Sequence, residues 1–228
     1  KRNRLIGIEK RSDMYALGAA NMILRGDGKS SMFHDDCFSE TVTAEIKNRT
    51  DTANNSTRPN VGIINPPYGV DGFSELKFIT NMLDMLADDG IGVAIVPMSA
   101  ASSASKDKAD LMAKHTLLAV MTMPKVFKGV GVCPVIMVFK ANTPHDVTAP
   151  SWFALWTDDG HAVIPKQGRK DTGRWANIRE KWLGDFDAGT GRGAKDVPGE
   201  SVTRCVRASD EWVAEAYIET DYDALTKD

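Results

Sequence analysis

The sequence is poor in the residues that mark disulfide frameworks and metal sites. Its 228 residues include 3 cysteines and 4 histidines, and none of these forms a spaced cluster. A small and odd number of distant cysteines is typical of reduced thiols in a cytosolic protein. We therefore expect neither a disulfide frame nor a bound metal. The cysteines are Cys37, Cys133 and Cys205.

The chain also has little that would suggest a membrane protein or a wholly basic nucleic-acid binder. No apolar run approaches the roughly 18 residues of a membrane helix, and no signal peptide is visible. The net charge of −3 still permits a local basic face. Hydrophobic content of 42% and charged content of 26% are ordinary for a globular protein. The length allows one well-buried domain and an extension.

One stretch, residues 61–69, combines a short apolar strand with two consecutive prolines. Proline lacks an N–H and restricts the preceding residue, so the strand must end at this point. Asn65 and Tyr68 are then predicted on a stiff loop at the carboxyl end of a strand, where open α/β sheets bind ligands. The amide oxygen and a proline carbonyl can accept hydrogen bonds from an exocyclic amine, and the ring can stack on a base. The alternative is an ordinary tight turn.

Two earlier segments place acidic residues at predicted strand tips. Residues 5–9 form a short apolar strand ending in Glu9, and a helix is predicted over 14–24. Residues 31–34 form a second strand, followed by Asp35 and Asp36. In nucleotide-binding α/β folds such acids bind ribose hydroxyls. Taken alone, Glu9 could equally be a surface residue at a strand end.

The remaining pattern predicts an alternating α/β chain. Helices are expected over 76–86 and 106–114, and strands over 91–96, 118–122, 133–139 and 151–156. The short connection between the strands at 118–122 and 133–139 requires them to be antiparallel. Residues 48–58 are predicted as a surface loop and 97–105 as a flexible link.

Together, the Asn-Pro-Pro-Tyr loop and the two strand-tip acids resemble the S-adenosylmethionine-dependent amino-methyltransferases. Residues 5–140 resemble the adenine-specific DNA methyltransferases. Residues 7–9, 14–17 and 21–28 look most like the modification subunits of type I restriction–modification systems. The resemblance implies a Rossmann-like α/β sheet, mostly parallel with a terminal antiparallel hairpin and partial at its N-terminus. It also implies a catalytic core over 1–141, then a mixed strand and helix extension with a flexible tail over 142–228.

The resemblance further implies roles for individual residues. S-adenosylmethionine would be the cofactor, with Glu9 on the ribose, Asp36 on the adenine amine, and Cys37 and Asn65 beside it. The catalytic loop would be Asn65, Pro66, Pro67 and Tyr68, and the target base would stack on Tyr68 and Phe127. The implied partners are double-stranded DNA and separate specificity and restriction subunits, with no membrane.

Two features of the chain depart from that pattern or add to it. The glycine-rich segment 187–193 looks like a cofactor loop, but it lacks the preceding strand and following helix that such loops need. We therefore predict a mobile linker there and expect the true loop upstream of Glu9, absent from this chain. The basic residues between 166 and 181, interleaved with Trp175 and Trp182, could contact phosphates or form a solvated helix face.

Two other functions remain open at this stage. The same loop occurs in methyltransferases that act on a protein glutamine amide or on RNA. The fold could also be retained in a non-catalytic subunit that binds DNA or a partner.

Overall fold

The computed structural model describes residues 5–26, 31–51, 56–69, 73–124, 131–164, 168–191 and 193–219. In chain order the strands and helices are β1 (Ile6–Ile8), α1 (Ser12–Leu24), β2 (Ser31–Phe33), α2 (Glu40–Lys47), β3 (Thr50–Asp51), β4 (Ser56–Thr57), β5 (Val61–Ile64), α3 (Glu75–Met85), β6 (Ile91–Pro97), α4 (Met98–Ser102), α5 (Lys106–Met112), β7 (Thr116–Thr122), β8 (Pro134–Lys140), β9 (Ser151–Leu155), β10 (His161–Ile164), β11 (Gly168–Asp171), α6 (Trp175–Thr190) and β12 (Ser201–Arg204). A short 3-10 turn covers Ala214–Ala216. Among the helices so described, none is long and apolar enough to cross a membrane.

The centre of the fold is a six-stranded sheet in the order β12-β9-β7-β8-β6-β5. Strands β5, β6, β7 and β9 run in the same direction, and β8 and β12 run against them. The predicted antiparallel pairing of β7 with β8 is confirmed. The carboxyl ends of four of the six strands therefore meet at one edge, which carries the loop after β5.

Helix α3 covers one face of this sheet because its apolar residues recur at helical spacing. Leu76, Ile79 and Leu83 are each at most 2% exposed. Gly92 of β6 allows this close packing, since a Cβ there would lie 2.3 Å from a terminal carbon of Leu83. Burying each such leucine or isoleucine stabilises the fold by about 1.5–3 kcal/mol.

The C-terminal residues belong to the same core. Strands β9 and β12 extend the sheet, and Val206, Trp212 and Val213 pack in the cluster that contains α3. The fully buried Lys108 ties this segment down, because its Nζ donates to the carbonyls of Ala101 at 2.5 Å and Asp210 at 2.9 Å. Residues on both sides of position 141 thus share one sheet and one core.

Strands β1 and β2 form a separate parallel pair rather than part of the large sheet. Ile6 and Ile8 pack with α2 and the end of α3. A cavity of about 520 Å³ separates β1 from β5. The N–H of Ile91 donates to the Asn60 carbonyl, so alternation along β5 turns the amides of Val61 and Ile63 toward this gap.

Three local predictions from the sequence were wrong. The expected linker at 187–193 begins inside α6, which continues to Thr190. The cause is a tertiary contact: Gly189 is buried so closely against Trp152 that a Cβ would lie 2.2 Å from its Nε1. The expected flexible link at 97–105 contains the helical turn α4, and the expected loop at 48–58 contains the paired strands β3 and β4.

Candidate active site

The Asn-Pro-Pro-Tyr loop leaves the sheet at the carboxyl end of β5, as predicted. Asn65 and Pro67 are exposed, whereas Pro66 is buried. Tyr68 is half-buried, and its hydroxyl donates to the carbonyl of Ile95 across 3.5 Å. Burial raises the pKa of Tyr68, and the nearby charge of Glu75 adds to this. The loop therefore presents an amide to solvent and anchors its aromatic ring against the sheet.

Gly69 ends the loop in a conformation that favours glycine, with φ of +67°. Its N–H donates to Oε1 of Glu75, in the first turn of α3, at 3.1 Å. Helix α3 is thus bonded to the end of the loop.

Glu9 follows β1 directly. Its N–H donates to the carbonyl of Phe33 at 3.0 Å, which continues the pairing with β2. Its Oε1 accepts the N–H of Arg11 at 2.8 Å. This bond fixes the carboxylate at the strand tip, just before α1 begins.

Asp36 lies in the turn after β2 and accepts two hydrogen bonds. The N–H of Phe38 donates to Oδ1 at 2.9 Å, and the ammonium of Lys10 donates to Oδ2 at 2.8 Å. The Lys10 hydrogen bond, helped by the Phe38 N–H, lowers the pKa of Asp36. The side chain is therefore an ionised acceptor at neutral pH.

Cys37 is half-buried beside this carboxylate. Burial, and then the charge of Asp36, raises the pKa of the Cys37 thiol to about 11. Its backbone carbonyl accepts a 2.7 Å hydrogen bond from Nδ2 of Asn81 on α3.

Contacts with α3 place the turn after β2 and the loop after β5 at the same end of the fold. Phe38 packs on Phe73 and Phe78, which flank the start of α3, with ring centroids 5.1 Å and 4.8 Å apart. At the opposite end, Arg58 precedes β5 and donates to carbonyls in the last turn of α3. The structure thus brings most of the expected site residues to the same end of the fold, although they follow strands of two sheets; these are Glu9, Asp36, Cys37, Asn65, Pro66, Pro67 and Tyr68. Phe127 lies outside the described residues.

The 520 Å³ cavity is not itself this site. It is lined by β1, β5 and the apolar faces of α2 and α3, and it reaches Cys37 and Asn81. Asp36 and Asn65 do not line it. We interpret it as the gap between the two sheets.

The sequence reasoning passed over two residues that the structure brings into contact with the site. Glu75 bonds the end of the loop, and Asn81 bonds the turn. A signal for Asn81 existed: with Phe78 and Met85 it forms a stripe of helical spacing beside the apolar face of α3.

Much of the basic character near α6 is neutralised within the protein. Arg169 pairs with Asp159, and Arg174 contacts Asp158 at 2.9 Å. Lys181 lies 2.8 Å from Asp185 and also contacts a second carboxylate. Phosphate contact by this region therefore stays a prediction.

Comparison with known proteins gives one curated relative that matches almost the whole of this chain. The Type II restriction enzyme and methyltransferase RM.BcgI of Heyndrickxia coagulans is 35% identical over 238 residues. The match covers 97% of this chain and 34% of the relative, so the chain spans about a third of that protein. No protein-family model matches the chain.

Solved structures of type I restriction–modification systems share the fold. The methyltransferase subunit from Streptococcus thermophilus has a TM-score of 0.65 at 16% identity, covering 87% of this chain and 44% of that one. A chain of a type I system, solved to explain complex assembly and conformational transition, has a TM-score of 0.67 at 18% identity, covering 99% and 50%. At such identities the likeness shows the fold alone. The Rossmann-like α/β methyltransferase fold expected from the sequence is thereby confirmed.

Proposed function

We propose that the chain belongs to the methyltransferases of restriction–modification systems and that it methylates N6 of adenine in double-stranded DNA. The methyl donor in this proposal is S-adenosylmethionine. Specificity and restriction subunits would be its partners, and the specificity subunit would choose the DNA sequence. The relative RM.BcgI, named as both restriction enzyme and methyltransferase, supports a role in such a system.

The observation that carries the proposal is the position of Asn65. Its amide is exposed on a loop stiffened by Pro66 and Pro67, at the end of β5. The same end of the fold carries the carboxylates of Glu9 and Asp36, one turn or less beyond β1 and β2. The proposal is supported because acceptors suited to an amine and acceptors suited to a nucleoside lie at the same end of the fold.

The acidic residues suit the nucleoside part of S-adenosylmethionine. Glu9 would accept the ribose hydroxyls, and the ionised Asp36 would accept the adenine amine. For Asp36 to do so, Lys10 must release Oδ2 or share it. The cofactor supplies an electrophilic methyl group carried on a sulfonium.

The target adenine must leave the duplex, because its amine cannot be reached inside the stack. The side-chain oxygen of Asn65 and the carbonyl of Pro66 would accept both N–H groups and turn the nitrogen lone pair toward the methyl group. Tyr68 would stack on the flipped base while its hydroxyl stays on Ile95. The rate would come mainly from this positioning. The proton would leave only after methylation, when the nitrogen has become acidic, so no general base is required.

The test is methylation by the Asn65→Ala variant of the full-length protein. Loss of a polar contact made at the transition state costs about 10² to 10³ in rate, by analogy with oxyanion-hole donors. Asn60→Ala is the matched control, since Asn60 is an exposed asparagine at the opposite end of β5. Labelled cofactor and nucleoside analysis of DNA, RNA and protein substrates separate the proposed activity from its two enzymatic alternatives. Near-wild-type methylation by Asn65→Ala would refute the assignment.

A further inference from the structure

The proposed cofactor residues and the proposed base-binding loop belong to two different sheets. Glu9 and Asp36 follow the β1–β2 pair, whereas Asn65 and Tyr68 follow β5 of the six-stranded sheet. Ladder hydrogen bonds therefore do not fix the distance between the two groups. Helix α3 contacts both, and we propose that Asn81 on this helix is a positioning residue for the cofactor. This inference rests on the proposed function.

The first turn of α3 is bonded to the base-binding loop. Glu75 accepts the N–H of Gly69 at 3.1 Å, and Gly69 directly follows Tyr68. Gly69 has a φ of +67°, and α3 begins six residues later in the chain, at Glu75. The beginning of α3 is thus hydrogen-bonded to the end of the loop.

The middle of the same helix is bonded to the cofactor turn. Asn81 donates to the carbonyl of Cys37 at 2.7 Å, next to Asp36. Three residues earlier, Phe78 packs edge-on against Phe38, with centroids 4.8 Å apart and planes at 62°. One side of α3 thus contacts the turn twice, through the Asn81 hydrogen bond and through the Phe78 ring.

The other hydrogen bonds of the turn after β2 stabilise its conformation but do not fix its position relative to α3. The N–H of Asp36 donates to Asp35, that of Phe38 to Asp36, and that of Ser39 to the Asp36 carbonyl, all within the turn. Among the described residues, the donors to Asp36 and Cys37 from outside the turn are Lys10 and Asn81. The Lys10 side chain is 75% exposed, long and flexible, and such a pair holds geometry poorly. The short, half-buried Asn81 side chain is the better anchor.

Helix geometry then sets the spacing. Glu75 and Asn81 are six residues apart, which is about 9 Å along the axis. A packed helix transmits this distance without bending, so the bond from Asn81 places the Asp36 carboxylate relative to the Asn65 loop. Without it, the turn would sample positions in which Asp36 no longer faces the adenine amine.

The experiment compares three variants of the full-length protein: Asn81→Leu, Asn81→Gln and Thr80→Val. Leucine keeps the branched shape of Asn81 and removes the donor, whereas glutamine retains a donor. Thr80→Val is the matched control, because the Thr80 hydroxyl donates only within α3, to the carbonyl of Leu76 at 3.0 Å. Measurements are S-adenosylmethionine affinity by calorimetry, KM and kcat for cofactor and DNA, and Tm.

For Asn81→Leu we expect cofactor Kd and KM to rise about five- to tenfold, as for loss of one hydrogen bond. The kcat at saturating cofactor and the KM for DNA should stay within twofold, and Asn81→Gln should recover most of the affinity. A cofactor KM for Asn81→Leu equal to that of Thr80→Val would overturn the inference. So would a fall in kcat and Tm with unchanged cofactor KM, which marks a purely structural role. Absence of cofactor binding by the wild-type protein would instead defeat the proposed function.

Discussion

Asp84, near the end of α3, allows a quantitative prediction of how much one charged side chain stabilises this fold. Its Oδ1 lies 3.3 Å from Nε2 of the fully buried His115, and its Oδ2 accepts from Lys114 at 3.1 Å. The other ring nitrogen of His115, Nδ1, accepts the N–H of Asn142 at 3.0 Å, so the imidazole carries its hydrogen on the side of Asp84. Through these contacts, Lys114 and His115 before β7 and Asn142 after β8 are joined to α3.

The pKa of Asp84 gives the magnitude and the sign. Burial alone would raise the pKa, but His115 and Lys114 outweigh it and lower the pKa from 3.8 to about 2. A carboxylate whose pKa is lower in the folded state stabilises the protein above the unfolded pKa. That contribution, about 2 kcal/mol, is lost as the pH falls toward 2. The side chain is only 25% exposed, so solvent screening reduces the value modestly.

The perturbation is Asp84→Asn, and the assay is urea unfolding from pH 7 down to pH 2. At pH 5–7 the variant should be less stable than the wild type by about 2 kcal/mol. The difference should shrink steadily below pH 4, because the wild-type carboxyl becomes protonated. Two stability curves that stay parallel from pH 7 to pH 2 would refute the reasoning.

Three further predictions follow from individual contacts. Glu9→Ala or Asp36→Ala should weaken cofactor binding by roughly 1.5–3 kcal/mol in calorimetry while DNA affinity is unchanged; equal loss of both affinities would mean that these acids are structural. Tyr68→Phe should keep most methylation activity and Tyr68→Ala should not, since stacking is worth about 1–3 kcal/mol per base; a Phe variant as inactive as the Ala variant would give the hydroxyl the main role. Lys108→Met should lower the free energy of unfolding by about 1–3 kcal/mol, because buried carbonyls lose their donor; Lys106→Met, on the exposed start of the same helix, is the control, and equal effects would contradict the role of the buried ammonium.

The sequence was sufficient for the elements whose apolar residues follow a clear period. The bounds of α3, β6, β7 and β8 agree with prediction within two residues. The local spacing of apolar residues predicts which positions are buried, and the short connection between β7 and β8 predicts that these strands are antiparallel. The positions of Asp36 and Asn65 beyond the carboxyl ends of β2 and β5 were predictable for a related reason: the apolar run that forms each strand ends where the polar turn begins. The chemical roles of these residues stay predictions until they are tested.

What the sequence could not provide depends on contacts between distant segments. Helix α6 runs through a glycine-rich segment because Gly189 fits against Trp152, which is 37 positions away in the chain. Strand β1 does not pair with the edge strand β5 of the large sheet. Pairing between strands that are distant in the chain cannot be predicted from the local sequence of either strand. The bond from Asn81 to the Cys37 carbonyl joins residues 44 positions apart. The helical spacing of Asn81 indicates the side of α3 on which it lies, but not that its partner is the Cys37 carbonyl.

The raised pKa of Cys37 has a consequence for the chemical durability of the proposed enzyme. The thiolate, not the thiol, is the form of cysteine that reacts with electrophiles and is most easily oxidised. With a pKa of about 11, the thiol is almost entirely protonated at pH 7. The charge of Asp36, which would serve the adenine, is also one of the causes that keep its neighbour protonated. The carboxylate that would bind the adenine therefore also lowers the reactivity of the thiol next to it.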